Sequence, residues 1–415
     1  MARLCSLLVS LLLCWGLSAC SGASPTSAAH AGTPTPTSAA QPQTCVALSP
    51  VSAPLITRAG LQRAFALPGS PFASVATHDG DWIFVSLQSS TARDNGIAVL
   101  RQQESSLALK AIIALPGVPA GLTLTSDERY LLVADGKGVA ILGAARAEAG
   151  AENALLRSIS DGSNPGTIEV ALSRDDQYVF ATDEAGQTLS VINLQKTLTG
   201  SAVDAGYVGR VPLDLGPVGL ALAPDNRYLY VTTEYSTQDA SLLLRQRNRA
   251  TLQIPGTLTV VDVARAEHDP AHAVVGSALA GCTPVRVALS AAGDVAWVTA
   301  RGGDEALAFN TTLLLKDPAQ ALVASVAVGP APVGLALIRQ DTELIVADSN
   351  RLAGGDSPQT LTLINVKQAL AGQPALLGSV AVGSFPRELA LDGQTLLLTN
   401  YTSATLSQIA LSKLP

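Results

Sequence analysis

An all-β fold, a seven-bladed β-propeller with four antiparallel strands in each blade, is the fold class that the sequence predicts. The first observation is a phrase of two short strands around a polar turn, GLALAPDNRYLYVT at 219–232, which occurs in seven versions. The second is that a third and a fourth apolar stretch follow nearly every copy. The third is a proline that stays in register with the copies. Four short strands per unit are typical of propeller blades, whereas β-helix repeats are much shorter.

The seven copies begin at residues 73, 121, 169, 219, 286, 334 and 388, so the steps between them are 48, 48, 50, 67, 48 and 54 residues. A proline stands two residues before six of these starting points, and Pro165 stands four residues before the third. An aspartate recurs in the polar turn, as in Asp127 and Asp175, because aspartate hydrogen-bonds its own backbone in turns. Each copy therefore predicts two antiparallel strands joined by a tight turn.

The seventh unit predicts how the ring closes. Its third strand, LSQIAL at 406–411, is followed by only four residues, so the unit has no fourth strand of its own. A matching stretch, QRAFAL at 62–67, lies just before the first unit. We expect this N-terminal strand to pair beside the C-terminal one and to complete the last blade, which removes the open edges between the first and last blades.

Large and small residues alternate in the first strand of the units, as in GLAL, EVAL, RVAL and ELAL. The innermost strands of a propeller crowd the central channel, and only Ala or Gly is expected to fit at alternate positions there. The Leu and Val residues between them are expected to pack against the neighbouring blade. These positions are therefore assigned to the core.

Composition limits the classes of protein and partner. The chain has 415 residues, of which 47% are hydrophobic and 14% charged, so it can bury a large core and global disorder is excluded. Aromatic residues are only 4%, which does not favour a carbohydrate-binding or base-stacking surface. The formal net charge of −7 argues against nucleic acid as a partner. We expect a monomer.

The N-terminus resembles a bacterial lipoprotein signal peptide. Arg3 precedes an apolar run at 4–17, too short for a membrane span, and the run ends in LSAC with Cys20 as the lipidated residue. The alternative is an ordinary cleavage site with an incidental cysteine. We expect residues 1–19 to be the signal peptide, 20–44 the lipidated cysteine and a disordered Ser/Ala/Thr/Pro tether, and 45–415 the propeller.

This arrangement predicts an exported protein, anchored to the cell envelope by lipid on Cys20. The residue after the cysteine is Ser21, whereas an aspartate there marks inner-membrane retention in some Gram-negative bacteria. In such a bacterium the outer membrane is therefore the expected location. Export also permits disulfides.

The remaining cysteines and the histidines suggest little chemistry. Cys5 and Cys14 leave with the signal peptide, and Cys45 and Cys282 form a possible disulfide, although spacing cannot show whether they approach each other. His268 and His272 are four residues apart, but a proline lies between them and a surface loop is expected. We expect no metal site and no cofactor.

At YLYVTTE (228–234) followed by LTVVDV (258–263), the chain resembles the YVTN family of β-propellers. The resemblance covers about residues 60–412 and implies the propeller fold. The family and its neighbours include surface-layer proteins, periplasmic binding proteins, lactonase-type enzymes and the haem-bearing propeller of nitrite reductase, so the resemblance does not choose a function. The sequence departs from the pattern at the asparagine that ends the second strand. Asn400 retains it, while Asp135, Asp183 and Asp348 stand near that place in other blades.

The candidate site lies at one mouth of the channel. At the first position of strand one, four units have Gly or Ala, but three carry Glu169, Arg286 and Glu388, with Arg387 beside the last. A charge in a crowded mouth costs desolvation unless it is paired or wet. These residues are either a ligand-orienting cluster or a structural set of ion pairs around a water-filled channel.

Long loops are expected on the same face of the ring. The fourth unit inserts a segment at 234–256, the fifth has RGGDE at 301–305 and the sixth has a long loop at 348–359. Loops too long for a tight hairpin are often functional. Arg301 and Asp348 therefore join Glu169, Arg286, Arg387 and Glu388 as candidate ligand-binding residues.

No catalytic constellation is visible, because the sequence lacks a GxSxG elbow, a Walker loop and a dinucleotide fingerprint. We therefore interpret the chain as a binding or scaffold module whose top face takes a protein or a small anionic ligand. One alternative is a lactonase-type hydrolase or isomerase, with Glu169 as a base beside Arg286. The other is a passive structural protein of the cell envelope.

Overall fold

A computed structural model describes residues 47–103, 106–160, 165–202, 204–237, 255–351 and 359–415. These residues form seven antiparallel sheets of four strands each. The first strand of each sheet contacts the first strand of the next, and the first strand of the seventh sheet contacts that of the first, so the sheets form a closed ring. The all-β, seven-bladed propeller is confirmed.

The strands run in chain order through the blades. Blade 1 consists of β2 (Ser70–Ala76), β3 (Trp82–Gln88), β4 (Gly96–Gln103) and β5 (Ser106–Ala114); blade 2 of β6 (Leu122–Leu124), β7 (Tyr130–Ala134), β8 (Val139–Gly143) and β9 (Leu155–Ile159); blade 3 of β10 (Thr167–Leu172), β11 (Tyr178–Asp183), β12 (Thr188–Asn193) and β13 (Tyr207–Pro212). Blade 4 consists of β14 (Leu215–Leu222), β15 (Tyr228–Tyr235), β16 (Thr257–Asp262) and β17 (Val274–Leu279); blade 5 of β18 (Pro284–Leu289), β19 (Val295–Ala300), β20 (Glu305–Asn310) and β21 (Leu322–Ala327). Blade 6 consists of β22 (Pro332–Ile338), β23 (Glu343–Asp348), β24 (Thr360–Asn365) and β25 (Leu376–Ala381); blade 7 of β26 (Pro386–Asp392), β27 (Thr395–Asn400), β28 (Thr405–Ala410) and β1 (Gln62–Ala66).

Blade 7 is shared between the two ends of the chain, as the sequence predicts. Strand β1 pairs antiparallel with β28, from Gln62 opposite Ile409 to Ala66 opposite Thr405. The innermost strand of the same blade, β26, lies against β2 of blade 1. The ring is therefore closed by hydrogen bonds within a blade and by packing between blades.

The recurring proline marks a recurring β-bulge. In blades 1, 4, 5, 6 and 7 the register between strands one and two shifts directly after the proline, and in blade 3 it shifts after Thr167. A proline has no N–H to give to the ladder, so a bulge tolerates it where a regular position would not. The bulge also re-aims the next two residues of strand one, which are the residues that line the channel mouth.

The polar turns between strands one and two link neighbouring blades at the opposite end of the ring. In blade 2, Asp127 accepts hydrogen bonds from the Thr125 hydroxyl and the Arg129 N–H, as expected for an aspartate turn. The residue after it, Glu128, has a φ of 54° and accepts a bond from the His78 N–H of blade 1. The same link joins the Ser126 N–H to Asp176 of blade 3. These bridges depend on residues placed in turns of different blades.

Short helices connect strands three and four in five blades. The sequence analysis predicts only strands in these segments. The helices are Ala144–Glu148, Leu194–Thr199, Val263–Ala266, Thr311–Lys316 and Val366–Leu370. In four of them the Asn or Asp that ends strand three caps the helix, as when the Asn193 side chain accepts a bond from the Lys196 N–H. Short 3-10 helices lie at Ala92–Asp94, Pro270–His272, Pro318–Gln320 and Leu411–Lys413. No helix in the described part of the chain is long and apolar enough to cross a membrane.

The core lies between the blades. In strand β14, Leu220 packs with the apolar cluster shared by blades 3 and 4, while the next residue, Ala221, packs with the cluster shared by blades 4 and 5. The small residues are set by this packing and not only by crowding in the channel. A Cβ on Gly219 would lie 2.5 Å from the Val285 carbonyl of the next blade.

A strap at 47–61 precedes β1 and crosses the outside of blades 5 and 6. The Leu48 N–H donates to the Gly303 carbonyl, the Val51 N–H donates to the Val328 carbonyl, and Leu55 pairs in parallel with Ser379. Cys282 is disulfide-bonded, and its backbone carbonyl accepts a bond from the Gly302 N–H beside the start of the strap. Cys20 and Cys45 lie outside the described residues, as do the signal peptide and tether of the sequence prediction.

Candidate functional site

One position of each first strand, two residues after the proline in six of the seven blades, forms the mouth of the channel. Gly121, Gly219 and Gly334 occupy this position in blades 2, 4 and 6, and Ala73 in blade 1. Blades 3, 5 and 7 place Glu169, Arg286 and Glu388 there. Small and charged residues therefore alternate from blade 2 to blade 7, and blade 1 adds a second small residue beside that of blade 2.

Arg286 of blade 5 contacts residues of three other blades, which are blades 3, 4 and 7. Its Nη2 lies 2.9 Å from Glu169 Oε1, and its Nε donates a hydrogen bond to Glu388 Oε1. Its Nη1 donates to the carbonyls of Val218 at 3.0 Å and Val285 at 2.9 Å. The contact with Glu169 is close enough for an ion pair but is not aligned as a hydrogen bond. Arg286 is 7% exposed, so the arrangement is a buried charged floor.

The glycines make room for this floor. A Cβ on Gly121 would lie 2.0 Å from Glu169 Oε2, and one on Gly219 would lie 3.0 Å from the Arg286 Cα. A Cβ on Gly334 would lie 2.4 Å from the Arg387 carbonyl. Each charged residue is therefore accommodated by the glycine of the preceding blade.

Burial and mutual charge shift the pKa values in the floor. Burial, reinforced by the charge of Glu388, raises the pKa of Glu169 above its ordinary value against the opposing effect of Arg286. Burial also disfavours the charged form of Arg286, but the Glu388 and Glu169 carboxylates outweigh it and raise its pKa. Two glutamates thus share one guanidinium, which stays charged.

Arg387 lies next to this floor and is held quite differently. Its guanidinium carbon is 3.6 Å from the centre of the Phe72 ring, 5.4 Å from Phe385 and 5.7 Å from Tyr401. Its Nε is buried without a hydrogen-bond partner among the described residues. Burial, followed by repulsion from Arg286, lowers the pKa of Arg387 to about 9. Aromatic rings, and not a carboxylate, therefore surround this cation.

Above the floor lies a cavity of about 320 Å³. Its polar lining consists of four arginines and two glutamates, and its apolar lining consists of residues from the first strands of blades 3 to 6. The lining residues are Ile168, Glu184, Val218, Glu234, Val285, Arg286, Arg301, Val333, Arg351 and Arg387. The cavity is therefore strongly polar and lies directly over the channel.

The rim residues differ in how they are paired. Arg301 Nη2 lies 2.6 Å from Glu234 Oε1, and both side chains are mostly buried. Arg351 is exposed as a whole residue, but its guanidinium carbon lies 5.0 Å from the centre of the Phe385 ring, and partial burial, together with the charge of Arg301, lowers its pKa. Burial and the charge of Glu234 raise the pKa of Glu184. Arg301 is thus neutralised within the rim, whereas Arg351 faces the cavity over an aromatic ring.

The structure brings together five of the six candidate residues. Glu169, Arg286 and Glu388 form the floor, Arg387 stands beside it, and Arg301 lies on the rim. Asp348 is 0% exposed and does not line the cavity. Its Oδ2 accepts bonds from the hydroxyls of Thr360 and Thr362 at 2.8 and 2.7 Å.

Asp348 occupies a position that is structural in the other blades. Asn400 of blade 7 makes the corresponding bonds in the opposite direction, donating to the Thr405 and Ser407 hydroxyls, and Asp183 of blade 3 accepts from Ser190. Burial raises the pKa of Asp348 to about 7, against the hydrogen bonds of the two threonines. Asp348 therefore fastens strand two of its blade to strand three, and we omit it from the candidate ligand contacts.

The sequence reading missed Glu184, Glu234, Arg351 and the aromatic residues around Arg387. Two of them, Glu184 and Glu234, hold the repeat position that Arg301 holds in blade 5; Glu184 follows β11, and Glu234 is the penultimate residue of β15. A comparison of that position among the seven repeats would have found them. The aromatic residues carry no such signal, because Phe72 and Tyr401 come from blades 1 and 7 and meet only when the ring closes.

No group of His, Cys, Asp and Glu in the described part of the chain is arranged to hold a metal ion. His272 Nδ1 lies 3.0 Å from Asp269 Oδ1 on the exposed surface, next to the proline-containing turn. His78 is also exposed and lies 2.9 Å from Glu128. The histidines described thus stand far from the mouth, in surface turns.

Comparison with known proteins supports the fold. No family model and no curated protein sequence matches the chain. Among solved structures, a chain of the Kuenenia stuttgartiensis hydrazine synthase superimposes with a TM-score of 0.60 at 15% identity, over 85% of this chain and 99% of that chain. In total 1342 chains of solved structures match, so this likeness identifies a propeller and does not select a ligand.

Proposed function

We propose that this chain is an exported, lipid-anchored β-propeller of the YVTN type that binds a ligand in the cavity over its channel mouth. The propeller fold is in general terms that of a binding or scaffold module. The anchor on Cys20 and the family rest on the sequence patterns LSAC and YLYVTTE. The mouth site rests on the geometry of the cavity.

The observation that carries the mouth site is the state of Arg351 and Arg387. Both face the cavity, and neither has a carboxylate within ion-pair distance among the described residues. Maintaining the buried Arg387 cation without a counter-ion costs free energy. Such a cost is typical of sites that receive their counter-charge from a ligand.

The geometry gives no specific support to the lactonase-type alternative. Its base would be Glu169, but that carboxyl lies against Arg286 in the floor and does not line the cavity. The passive-envelope alternative predicts that nothing small binds. Binding at the mouth is therefore the function that the arrangement supports best.

The mouth site is tested by a thermal-shift screen of small metabolites against the soluble 45–415 protein and its Arg387→Met variant. The expected result is a ligand that raises the melting temperature saturably in the parent and much less in the variant. Arg227→Met is the matched control, because that guanidinium lies 5.3 Å over the Tyr228 ring in a strand one–two turn, away from the mouth. Equal shifts in all three proteins would show that the ligand binds elsewhere.

The anchor is tested separately in the full chain. Metabolic labelling with a fatty acid is expected to mark the parent protein, and the Cys20→Ala variant is expected to lose both the label and its place in the membrane fraction. An unlabelled parent protein would contradict the lipid anchor and would leave the mouth site unaffected.

A further inference from the structure

Two of the arginines around the cavity have no carboxylate partner in the part of the chain that the structure describes. Of four arginines at the mouth and its floor, Arg286 is shared by two glutamates and Arg301 is paired with Glu234. Arg351 and Arg387 are the two whose charge no described carboxylate neutralises within ion-pair distance. Glu184 is the remaining acid of the rim; it is exposed, and no described arginine lies within ion-pair distance of it. Among these described residues, the cavity therefore has two unpaired arginines against one solvated glutamate.

These two cations lie close to the same aromatic ring, that of Phe385. The guanidinium carbon of Arg351 is 5.0 Å from the centre of the Phe385 ring, and that of Arg387 is 5.4 Å from the same point. The two guanidinium carbons therefore lie within about 10 Å of each other. The Phe385 ring is half-buried and packs 5.3 Å from the Tyr401 ring, which holds it in place.

The guanidinium groups are also available for hydrogen bonding. The Arg387 guanidinium carbon lies 3.6 Å from the centre of the Phe72 ring, and its Nε is buried with no hydrogen-bond acceptor among the described residues. A guanidinium offers paired N–H donors that match a carboxylate bidentately. The cavity volume of about 320 Å³ is at the lower end for ligand pockets, which favours a small molecule over a peptide.

We infer that the ligand of this cavity is a small organic dicarboxylate, with one carboxylate held by Arg387, the other by Arg351, and the hydrocarbon between them lying on Phe385. This inference rests on the proposed function, because it names the ligand class of the same mouth site. A molecule with two carboxylates can give each guanidinium its own bidentate partner, whereas a monocarboxylate brings one negative charge to two cations. The Arg286 floor closes the cavity below, so the ligand enters from the loop face.

The experiment is isothermal titration calorimetry of the 45–415 protein with matched pairs of probes. Succinate and glutarate are compared with butyrate and valerate, which have the same chain lengths and one carboxylate, and with inorganic phosphate. At least one dicarboxylate is expected to bind about 10- to 100-fold more tightly than its monocarboxylate and than phosphate, as for the loss of one charge-assisted contact. Low salt is used because the rim is open to solvent.

Substitutions then assign the two carboxylates. Arg351→Met and Arg387→Met are each expected to remove the preference for dicarboxylate over monocarboxylate, while Arg227→Met retains it. Glu184→Gln is expected to strengthen dicarboxylate binding several-fold, because an acid of the rim is removed. Circular dichroism melting of every variant establishes that it is folded before titration.

Three outcomes would overturn the inference. They are a failure of every dicarboxylate to bind, phosphate binding as tightly as the best dicarboxylate, and a dicarboxylate preference that survives in either arginine variant. If another ligand meanwhile gives a saturable shift that depends on Arg387, the mouth site stands and only the ligand class is wrong. If no ligand of any class depends on Arg387, the proposed function fails as well.

Discussion

Arg286→Met removes the cation that, among the described residues, pairs with both Glu169 and Glu388, and we expect it to destabilise the propeller strongly. Each of the two glutamate side chains is 16% exposed, so the variant would leave two carboxyls buried against each other without a counter-ion. The carbonyls of Val218 and Val285 would also lose their side-chain donor. Removing one partner of a buried ion pair costs about 3–5 kcal/mol, and we expect a loss in this range.

The loss should depend on pH. The pKa of Glu169 is already raised in the folded protein, and removal of Arg286 would raise it further. A carboxyl whose folded pKa is raised stabilises the fold below its unfolded pKa, and this contribution disappears as the pH rises through the folded value. The variant is therefore expected to be closest to the parent near pH 4 and farthest from it above pH 8.

The assay is equilibrium urea denaturation followed by tryptophan fluorescence, in which Trp297 of blade 5 reports from a fully buried position. The triple variant Glu169→Gln, Arg286→Met, Glu388→Gln is the control, because it removes the cation and both acids together. We expect it to recover most of the lost stability. The reasoning is refuted if Arg286→Met costs less than about 1 kcal/mol, or if the triple variant is as unstable as the single one.

Three further predictions concern stability. Arg387→Met is expected to stabilise the ligand-free protein by about 1–3 kcal/mol, because it removes a buried cation without a counter-ion while its stem stays packed on the aromatic rings, and a lowered melting temperature would contradict this. Asp348→Asn is expected to be tolerated, because blade 7 has Asn400 at the corresponding position. It is also expected to make the stability of the protein less dependent on pH. The pKa of Asp348 is about 7 in the folded protein against an ordinary value of 3.8, so the parent's free energy of unfolding should fall by up to about 4 kcal/mol as the pH rises from about 4 to 7. If the variant shows the same dependence of unfolding free energy on pH, Asp348 is not its source. Cys282→Ser is expected to cost about 2–4 kcal/mol in non-reducing buffer and to make the melting temperature insensitive to reductant, whereas continued sensitivity would implicate another disulfide.

Local patterns in the chain determined the architecture. The repeat and the leftover strand predict the blade number and the pairing of Gln62–Ala66 with Thr405–Ala410, because each blade is an antiparallel sheet whose strands follow one another in sequence. Where a helix directly follows a strand, the sequence pattern did not predict the helix. Asn193 ends a strand and caps a helix at once, so its local sequence is consistent with a longer strand.

The amino-acid sequence by itself determined which residues are unusual at the start of strand one, namely Glu169, Arg286, Glu388 and their neighbour Arg387. Only the tertiary structure decided that Arg286 binds both glutamates, that Arg387 is stacked on Phe72, and that Asp348 is turned into its own blade. The physical reason is that a charged side chain is stabilised by whatever surrounds it in space. Around a closed ring those surroundings come from blades that are far apart along the chain.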